Sequence, residues 1–580
     1  MPQLTVGFLT HEGFIMPLGM LKQQFGNQYV DLIAKLTLIY YPKVGPPVVT
    51  RLYKISVYAG IQCIQLPRTL IYKFLLGGML TDLKILLAPV RYINVGIAIE
   101  LFNNQVILVD YLCDKIFTKA RQAKGGATGI LNLLAGMGKS FVAAGSIARL
   151  GMRTLYIVPK RPLAIQAVKD LRGCFYPDDG STPTALVGHF SKPIKEKPAP
   201  MIKEKSEPMI KEKSKPVPVP KEKRAPKPCD ESAIVANQAV TVIVINSAIL
   251  QPASFFAGYS FIVFDEVHMY CSAVRKDIFK KATSHVMLGM TATSEDRTDG
   301  FDPIAHKELA VDGIIRAENI KGFTYEGVNF DCHARIINYS GPTEYTQNLT
   351  HESTGLLFTH YMHNQFISDG YRTQMAVNEL LSLYDWRGPL GQVHCIYVFA
   401  EEIGILKQAK TAFINALQLR NRIDLIDDIN IPECGLEMFT GGLKDEKITD
   451  IVNNGRVLFT TYGFAGSGLS ILKMTAELLL TPRRANMKQI FTRIRRRGSD
   501  LTIPRIVVDI VDVRTALKYQ VSARKLAFEF YGFTQTQTKI TYGMIAGMRP
   551  EDIPTINARA NTADGMADIE DPLSAVGFDE

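Results

Sequence analysis

Phe261-Ile262-Val263-Phe264-Asp265-Glu266-Val267-His268 is the stretch whose reading decides the fold. Its four consecutive apolar residues read as one strand of a parallel sheet buried on both faces, with Asp265 and Glu266 at the carboxyl end. Ligands of open α/β sheets bind at that end of the strands. Two adjacent carboxylates there suit magnesium-assisted phosphoryl transfer, Asp265 orienting the metal and Glu266 positioning and deprotonating water. The plain alternative is an acidic, solubilising strand edge.

Upstream, Gly136-Met137-Gly138-Lys139-Ser140 supplies the complementary chemistry. The full G-x-x-x-x-G-K-[ST] pattern is not met, because Leu133 stands where the first glycine belongs. The physics of the loop survives. Gly136 and Gly138 let the backbone close around phosphate oxygens, the following helix N-terminus supplies positive potential, Lys139 adds a point charge and Ser140 is a magnesium ligand with Asp265. Alone, this segment also fits an ordinary glycine turn before a helix. Its order ahead of the acidic box argues for an NTP-hydrolysing machine.

At 580 residues the chain exceeds one hydrophobic core, so two or three domains are expected. The 47% apolar fraction is that of a soluble globular protein. No run of about 18 apolar residues occurs, and Met1-Pro2-Gln3-Leu4 opens no signal-peptide pattern, so the expectation is a soluble intracellular protein. The eight cysteines are scattered without a C-x-x-C pair, which disfavours a zinc module or a disulfide framework.

The formal charge is +10, but twelve Lys or Arg against five Glu between Lys192 and Pro228 place +7 of it in one segment. There Lys195-Glu196-Lys197, Lys203-Glu204-Lys205 and Lys211-Glu212-Lys213 recur every eight residues among prolines. Such a sequence cannot bury a core, so residues 190–232 are expected to be a disordered insertion, a solvated loop or a nucleic-acid tether. Nucleic-acid affinity is then expected from local grooves, not from a uniformly positive body.

The expected organisation is a small N-terminal accessory domain with strands over 1–95, an α/β unit over 96–300, a linker over 301–314, a second α/β unit over 315–548 and an acidic disordered tail over 549–580. Leu36-Thr37-Leu38-Ile39-Tyr40-Tyr41 and Ile55-Ser56-Val57-Tyr58 read as strands of the first part. Val393 to Phe399, Val457 to Thr461 and Ile506 to Val511 read as strands of the second α/β unit. In Gln489-Ile490-Phe491-Thr492-Arg493-Ile494-Arg495-Arg496, the spacing of Arg493 and Arg496 puts both on one helical face, from which they reach a phosphate held by the first unit. A basic surface helix is the competing reading, since Arg495 and Arg497 extend the run.

Together these motifs resemble those of superfamily 2 helicases, over nearly everything between Gln105 and about Phe533. Leu288-Gly289-Met290-Thr291-Ala292-Thr293 is similar to the family's T-A-T segment, and Asn103-Asn104-Gln105 to its glutamine motif. Gln65-Leu66-Pro67-Arg68, Leu480-Thr481-Pro482-Arg483 and Asp509-Ile510-Val511-Asp512 through Arg524 and Tyr531-Gly532-Phe533 carry a narrower likeness, to DNA helicases of nucleocytoplasmic large DNA viruses of the poxvirus transcript-release type.

The resemblance implies two tandem RecA-like domains, ATP and Mg2+ as cofactors, and DNA or RNA as partner, with transcription or replication proteins besides and no membrane. It implies 3′ to 5′ DNA unwinding in viral transcription, recombination or repair, in the host cytoplasm, a viral factory or the nucleus. Carried onto this sequence, ATP is held by Gln105, Ala135, Gly136, Met137, Gly138, Lys139 and Ser140. Lys139, Asp265, Glu266, Arg493 and Arg496 are catalytic. His268, Thr291, Thr293, Gln489 and Gly468 couple hydrolysis to movement, while Pro159, Lys160, Ser247 and Thr461 touch nucleic acid. Thr492 stands in place of the family's glycine in the arginine motif, and Ser467 and Ser470 in place of both acids of E-G-L-D. These departures keep open a nucleic-acid-binding scaffold whose ATPase has decayed, and an RNA helicase with the same engine stays open because motors that track phosphates can share motifs across both polymers.

Overall fold

The computed structural model describes residues 7–42, 46–58, 60–78, 80, 82–134, 136–177, 186–190, 238–292, 300–325, 329–350, 355–419, 435–465 and 471–546. Ala135, Thr293, Ser467, Gly468 and Ser470, nearly all of the 190–232 insertion and the 549–580 tail lie outside the described residues.

The acidic box ends a central strand, Phe261–Asp265, whose four apolar residues are completely buried. Seven parallel strands lie side by side in the order Val187–His189, Val240–Val244, Thr154–Val158, Phe261–Asp265, Val286–Thr291, Thr128–Asn132, Ile314–Arg316. Pairing of Asp265 with Met290 and of Thr291 with Asn132 keeps the carboxyl ends level, so the phosphate loop, the acidic box and Thr291 share one rim.

A second sheet of seven parallel strands runs Leu436–Phe439, Val457–Thr461, Cys395–Ala400, Met474–Leu479, Arg505–Asp512, Cys332–Ser340, Thr534–Thr541. Numbered by chain order within each sheet, both read 3-4-2-5-6-1-7. The chain therefore carries two tandem RecA-like lobes with the same connectivity.

This shared order corrects the expected boundary. Residues 301–314 are not a linker: Pro303–Leu309 is a helix with Ile304, Ala305 and Leu309 in the first lobe's core, and Ile314–Arg316 pairs with Thr128–Asn132 as the seventh strand. The second lobe's first strand begins at Cys332, not near 315. A three-residue edge strand, Ile-Ile-Arg, is too short for periodicity to separate from a loop.

The N-terminal residues form a five-stranded sheet, Lys54–Tyr58, Ile61–Leu66, Gly13–Pro17, Gly7–Thr10, Leu83–Ile85, with a separate hairpin of Thr37–Tyr40 and Val48–Arg51. Its core is not private. Side chains alternate across a strand, so Ile262 and Phe264 face one side of the first lobe's sheet and Phe261 and Val263 the other. Helices Asn103–Tyr111, Lys139–Leu150 and Arg161–Cys174 contribute to the second face, whereas the first shares a continuous apolar cluster with Leu9, Phe14, Ile64 and Ile71 of the N-terminal module.

Arg68 fixes that docking. Fully buried, it donates to the carbonyls of Gly125 (2.7 Å), Ser284 (2.6 Å) and His285 (3.2 Å), while its own N–H donates to Glu308 Oε2 at 3.2 Å. Among the described residues no helix is long and apolar enough to cross a membrane.

Candidate active site between the two lobes

The loop after Thr128–Asn132 turns through Gly136 (φ 86°) and Gly138 (φ 81°), a backbone region that side chains with a Cβ rarely adopt. A Cβ on Gly138 would meet Gln105 Nε2, the far end of a side chain that would have to shift, so it is the conformation that calls for glycine there. Gly138 caps the helix Lys139–Leu150, whose N-terminus opens towards the loop.

Lys139 Nζ lies 3.0 Å from Glu266 Oε1. Glu266 itself is a non-glycine residue in the left-handed region (φ 49°, ψ 53°), a strained turn that brings its carboxylate back over the rim. Its N–H donates to Asp265 Oδ1 at 3.1 Å, and the Tyr270 hydroxyl beneath donates to the carbonyls of Asp265 (2.7 Å) and Ile157 (3.0 Å).

The two carboxyls are pushed apart. Burial, and then the charge of Glu266, raise Asp265 to about 7 against the pull of Lys139. Burial acts to raise Glu266 too, but Lys139, His268 and Arg493 together outweigh it and hold it below the ordinary value. One buried site thus holds two adjacent carboxyls whose hold on a proton differs in opposite directions.

The fit to a magnesium nucleotide is tested by what these residues leave open. Glu266 Oε2 is buried without a hydrogen-bond partner, with His268 Nδ1 3.6 Å away. The loop turns through left-handed glycines at 136 and 138, and Ser140 follows Lys139 in the first turn of its helix. An anion cradle, a hydroxyl, a buried acid and an orphaned acceptor are the donor set that such a ligand requires. Ser140 and Asp265 would hold Mg2+, which when bound supplies charge stabilisation to the phosphates.

From the second lobe, Arg493 and Arg496 reach the same place, but not as expected. They do not share a helical face: the helix is Met487–Phe491 and ends before either arginine. Tight turns carry them instead, with Arg493 N–H donating to Ile490 O (2.8 Å) and Arg495 N–H to Thr492 O (3.3 Å). Thr492, where a glycine was expected, is 3% exposed and its hydroxyl donates to Gln489 O at 2.8 Å, so it fits within the turn. The charges of both arginines act with that of Glu266, and a Cβ on Gly136 would lie 4.0 Å from Arg496 Nη1. Burial, then Arg493, pushes Arg496 down to about 9.

Other expected positions fall as follows. His268 Nδ1 is 2.8 Å from Thr291 Oγ1, which ties the acidic box to the end of the next strand. Gln489 is buried in its short helix. Gln105 lies against the phosphate loop with both ends of its amide engaged, Oε1 accepting from Phe102 N–H (3.1 Å) and Nε2 donating to Met137 O (3.4 Å). The amide keeps a second lone pair and a second N–H beyond these bonds. Pro159 is buried after Thr154–Val158, and Lys160 Nζ donates to Gly463 O of the second lobe. Thr461 ends its strand, and Ser247 lies in Ile245–Ala248, beyond a strand two places from the acidic box. Lys160 is thus drawn into the cleft, while Ser247 stays outside the catalytic cluster.

One participant had no motif to announce it. Phe102, half exposed ahead of Gln105, carries the Arg497 guanidinium 3.9 Å from its ring centroid, a cation–π contact across the lobes.

Two RecA-like lobes with a phosphate loop and acidic box on one and an arginine turn on the other are the arrangement found in superfamily 2 helicases, a class of nucleic-acid-dependent ATPases. Residues 98–296 match the profile of the family described as type III restriction enzyme, res subunit. The chain is 27% identical over 450 residues, 76% of its length and 75% of the relative's, to QP509L of African swine fever virus (isolate Tick/Malawi/Lil 20-1/1983), assigned as an ATP-dependent RNA helicase. Among solved structures it is similar to S. cerevisiae Dbp5 bound to RNA and ADP BeF3 (13% identity, 76% of this chain, 94% of that one, TM-score 0.39). It is also similar to the ATP-dependent type ISP restriction-modification enzyme LlaBIII bound to DNA (13% identity, 76% of this chain, 31% of that one, TM-score 0.42).

Proposed function

We propose that this chain is an ATP-driven DNA helicase or translocase moving 3′ to 5′ in viral transcription, recombination or repair, like the poxvirus transcript-release helicase it resembles. The observation that carries the reading is the meeting of the two lobes at one place: Lys139 pairs with Glu266 at 3.0 Å, and the arginine turn of the other lobe comes against the glycine loop, with Arg496 Nη1 4.0 Å from the position of a Cβ on Gly136. In hydrolysis Glu266 takes the proton of the attacking water, Lys139 faces the phosphates, and the arginines meet charge that develops on the transferred group. Binding closes the cleft; loss of the γ-phosphate removes what holds the arginine turn against the first lobe. The His268–Thr291 bond passes that change to the sheet rim.

The second reading, RNA as the track, is favoured by the assignment of the African swine fever virus relatives as RNA helicases. ATP turnover and strand displacement on matched DNA and RNA duplexes with 3′ or 5′ tails separate the two. Displacement of tailed RNA alone would overturn the DNA assignment, and displacement from 5′ tails alone would overturn the polarity.

A further inference from the structure

From Leu32 to Thr81 the chain runs for 50 residues without an Asp or Glu while carrying six Lys or Arg, although the whole chain has 56 acids in 580 residues. This stretch supplies the hairpin of Thr37–Tyr40 and Val48–Arg51 and the edge strand Lys54–Tyr58 of the N-terminal module. Cations without acids among them attract phosphate.

The hairpin has two unlike faces. Leu38, Tyr40 and Val48 pack on the apolar cluster shared with the first lobe, where the Tyr40 ring lies 5.9 Å from that of Phe301. Side chains alternate along a strand, so Ile39 and Val49 point the other way. They stand opposite each other in register and are 51% and 52% exposed. Tyr41 beyond Ile39 and Arg51 beyond Val49 are exposed as well, as is Lys54 at the start of the edge strand. An exposed apolar pair bordered by cations marks an interaction surface.

The position of the hairpin selects the partner. The Arg51 carbonyl accepts from Lys276 Nζ at 2.8 Å, which ties the hairpin to the segment that follows the acidic box. From that segment Lys281 Nζ donates to the carbonyl of Ile249 at 2.9 Å, just past the short helix Ile245–Ala248 that holds Ser247. The hairpin thus extends the flank of the first lobe on which Ser247 is expected to touch nucleic acid. A two-stranded ribbon fits the major groove of a duplex, with apolar side chains at base edges and cations at the phosphates.

We propose that the outer face of this hairpin grips a nucleic-acid duplex where it joins the single strand held by the lobes. Arg51 and Lys54 meet phosphates, and Ile39 and Val49 enter the groove. The inference rests on the nucleic-acid motor proposed above and adds the form of its partner, a duplex beside a single strand.

The test measures binding of the full chain to a forked duplex with two single-stranded arms and to one arm strand alone, by fluorescence anisotropy over a range of salt. The polymer used is the one, DNA or RNA, that stimulates wild-type ATP turnover. Wild type should bind the fork more tightly than the lone strand. Arg51→Glu/Lys54→Glu should weaken fork binding roughly tenfold and reduce the slope of log affinity against log salt by about 2, one for each lost phosphate contact. Ile39→Ser/Val49→Ser should weaken fork binding roughly fivefold with the slope unchanged. Both variants should keep wild-type thermal midpoints, binding to the lone strand and turnover stimulated by it, because the four side chains lie on the surface outside the cleft. Fork binding at wild-type strength in either variant, which would leave the face to a protein, overturns the proposal, as does an equal loss on the lone strand; the ATPase reading stands in both cases. A folded wild type that neither polymer stimulates sinks the motor reading, and this inference with it.

Discussion

Lys139 and Glu266, separated by 127 positions in the sequence, form an ion pair of 3.0 Å at the rim of the first lobe's sheet. In the proposed mechanism the phosphate-binding cation and the general base are each other's partner, so nucleotide would take Lys139 from Glu266 on binding. That exchange leaves the base facing Arg493 and His268.

Replacement of Glu266 by Gln keeps the shape of the site and removes the proton acceptor. ATP turnover should fall by about 10² to 10⁴ while nucleotide affinity stays within a few-fold, because Lys139 no longer has a charged competitor. Turnover equal to wild type in a folded Glu266→Gln protein would remove Glu266 as the base.

Arg493→Ala and Arg496→Ala should each reduce kcat by up to about 10³, with smaller effects on nucleotide binding, as expected of charges aimed at the transition state. A rise in KM alone, with kcat preserved, would reassign the arginines to ground-state binding.

Gly138→Ala places a Cβ against Gln105 Nε2 at a φ of 81°. Titration with a fluorescent ATP analogue should show affinity reduced at least tenfold, because the loop must open to relieve both contact and strain. Wild-type affinity would mean that the loop relaxes without penalty.

Arg68→Ala removes a buried cation from the carbonyls of Gly125, Ser284 and His285, while the backbone N–H bond to Glu308 remains. Loss of one member of such a network costs about 3 to 5 kcal/mol, so the denaturation midpoint should fall and the N-terminal module should release early. An unchanged midpoint would refute the docking role.

Glu308 carries a pH signature. Burial, opposed by Lys280 and Arg68, raises it from 4.5 to about 7 in the folded chain. A carboxyl raised by folding contributes stability that is present below pH 4.5 and lost as pH rises through about 7. Between pH 5 and 8 the wild type should lose on the order of 3 kcal/mol relative to Glu308→Gln, by denaturant melts of both proteins. Parallel curves would show that Glu308 does not change protonation on folding.

The acidic box and the phosphate loop were legible because each needs a local pattern: a short apolar run ending in acids, and glycines ahead of a lysine. The strands Val457–Thr461 and Phe261–Asp265 fall where alternation and continuous hydrophobicity place them. The arginine motif was legible in composition but not in conformation, because packing of Phe491 and Ile494 into the second lobe's core ends the helix before Arg493. Ile314–Arg316 stayed hidden because an edge strand of three residues owes its existence to the neighbour it pairs with.

The chain by itself determined the strands, the phosphate loop and the identity of each charged group, because these depend on residues close in sequence. Only the tertiary structure decided that Lys139 pairs with Glu266, that Lys160 reaches Gly463 of the second lobe, and that the N-terminal sheet covers one face of the first lobe. Those relationships join residues far apart along the chain. Their energies arise from burial and from charges brought together, quantities that no local pattern carries.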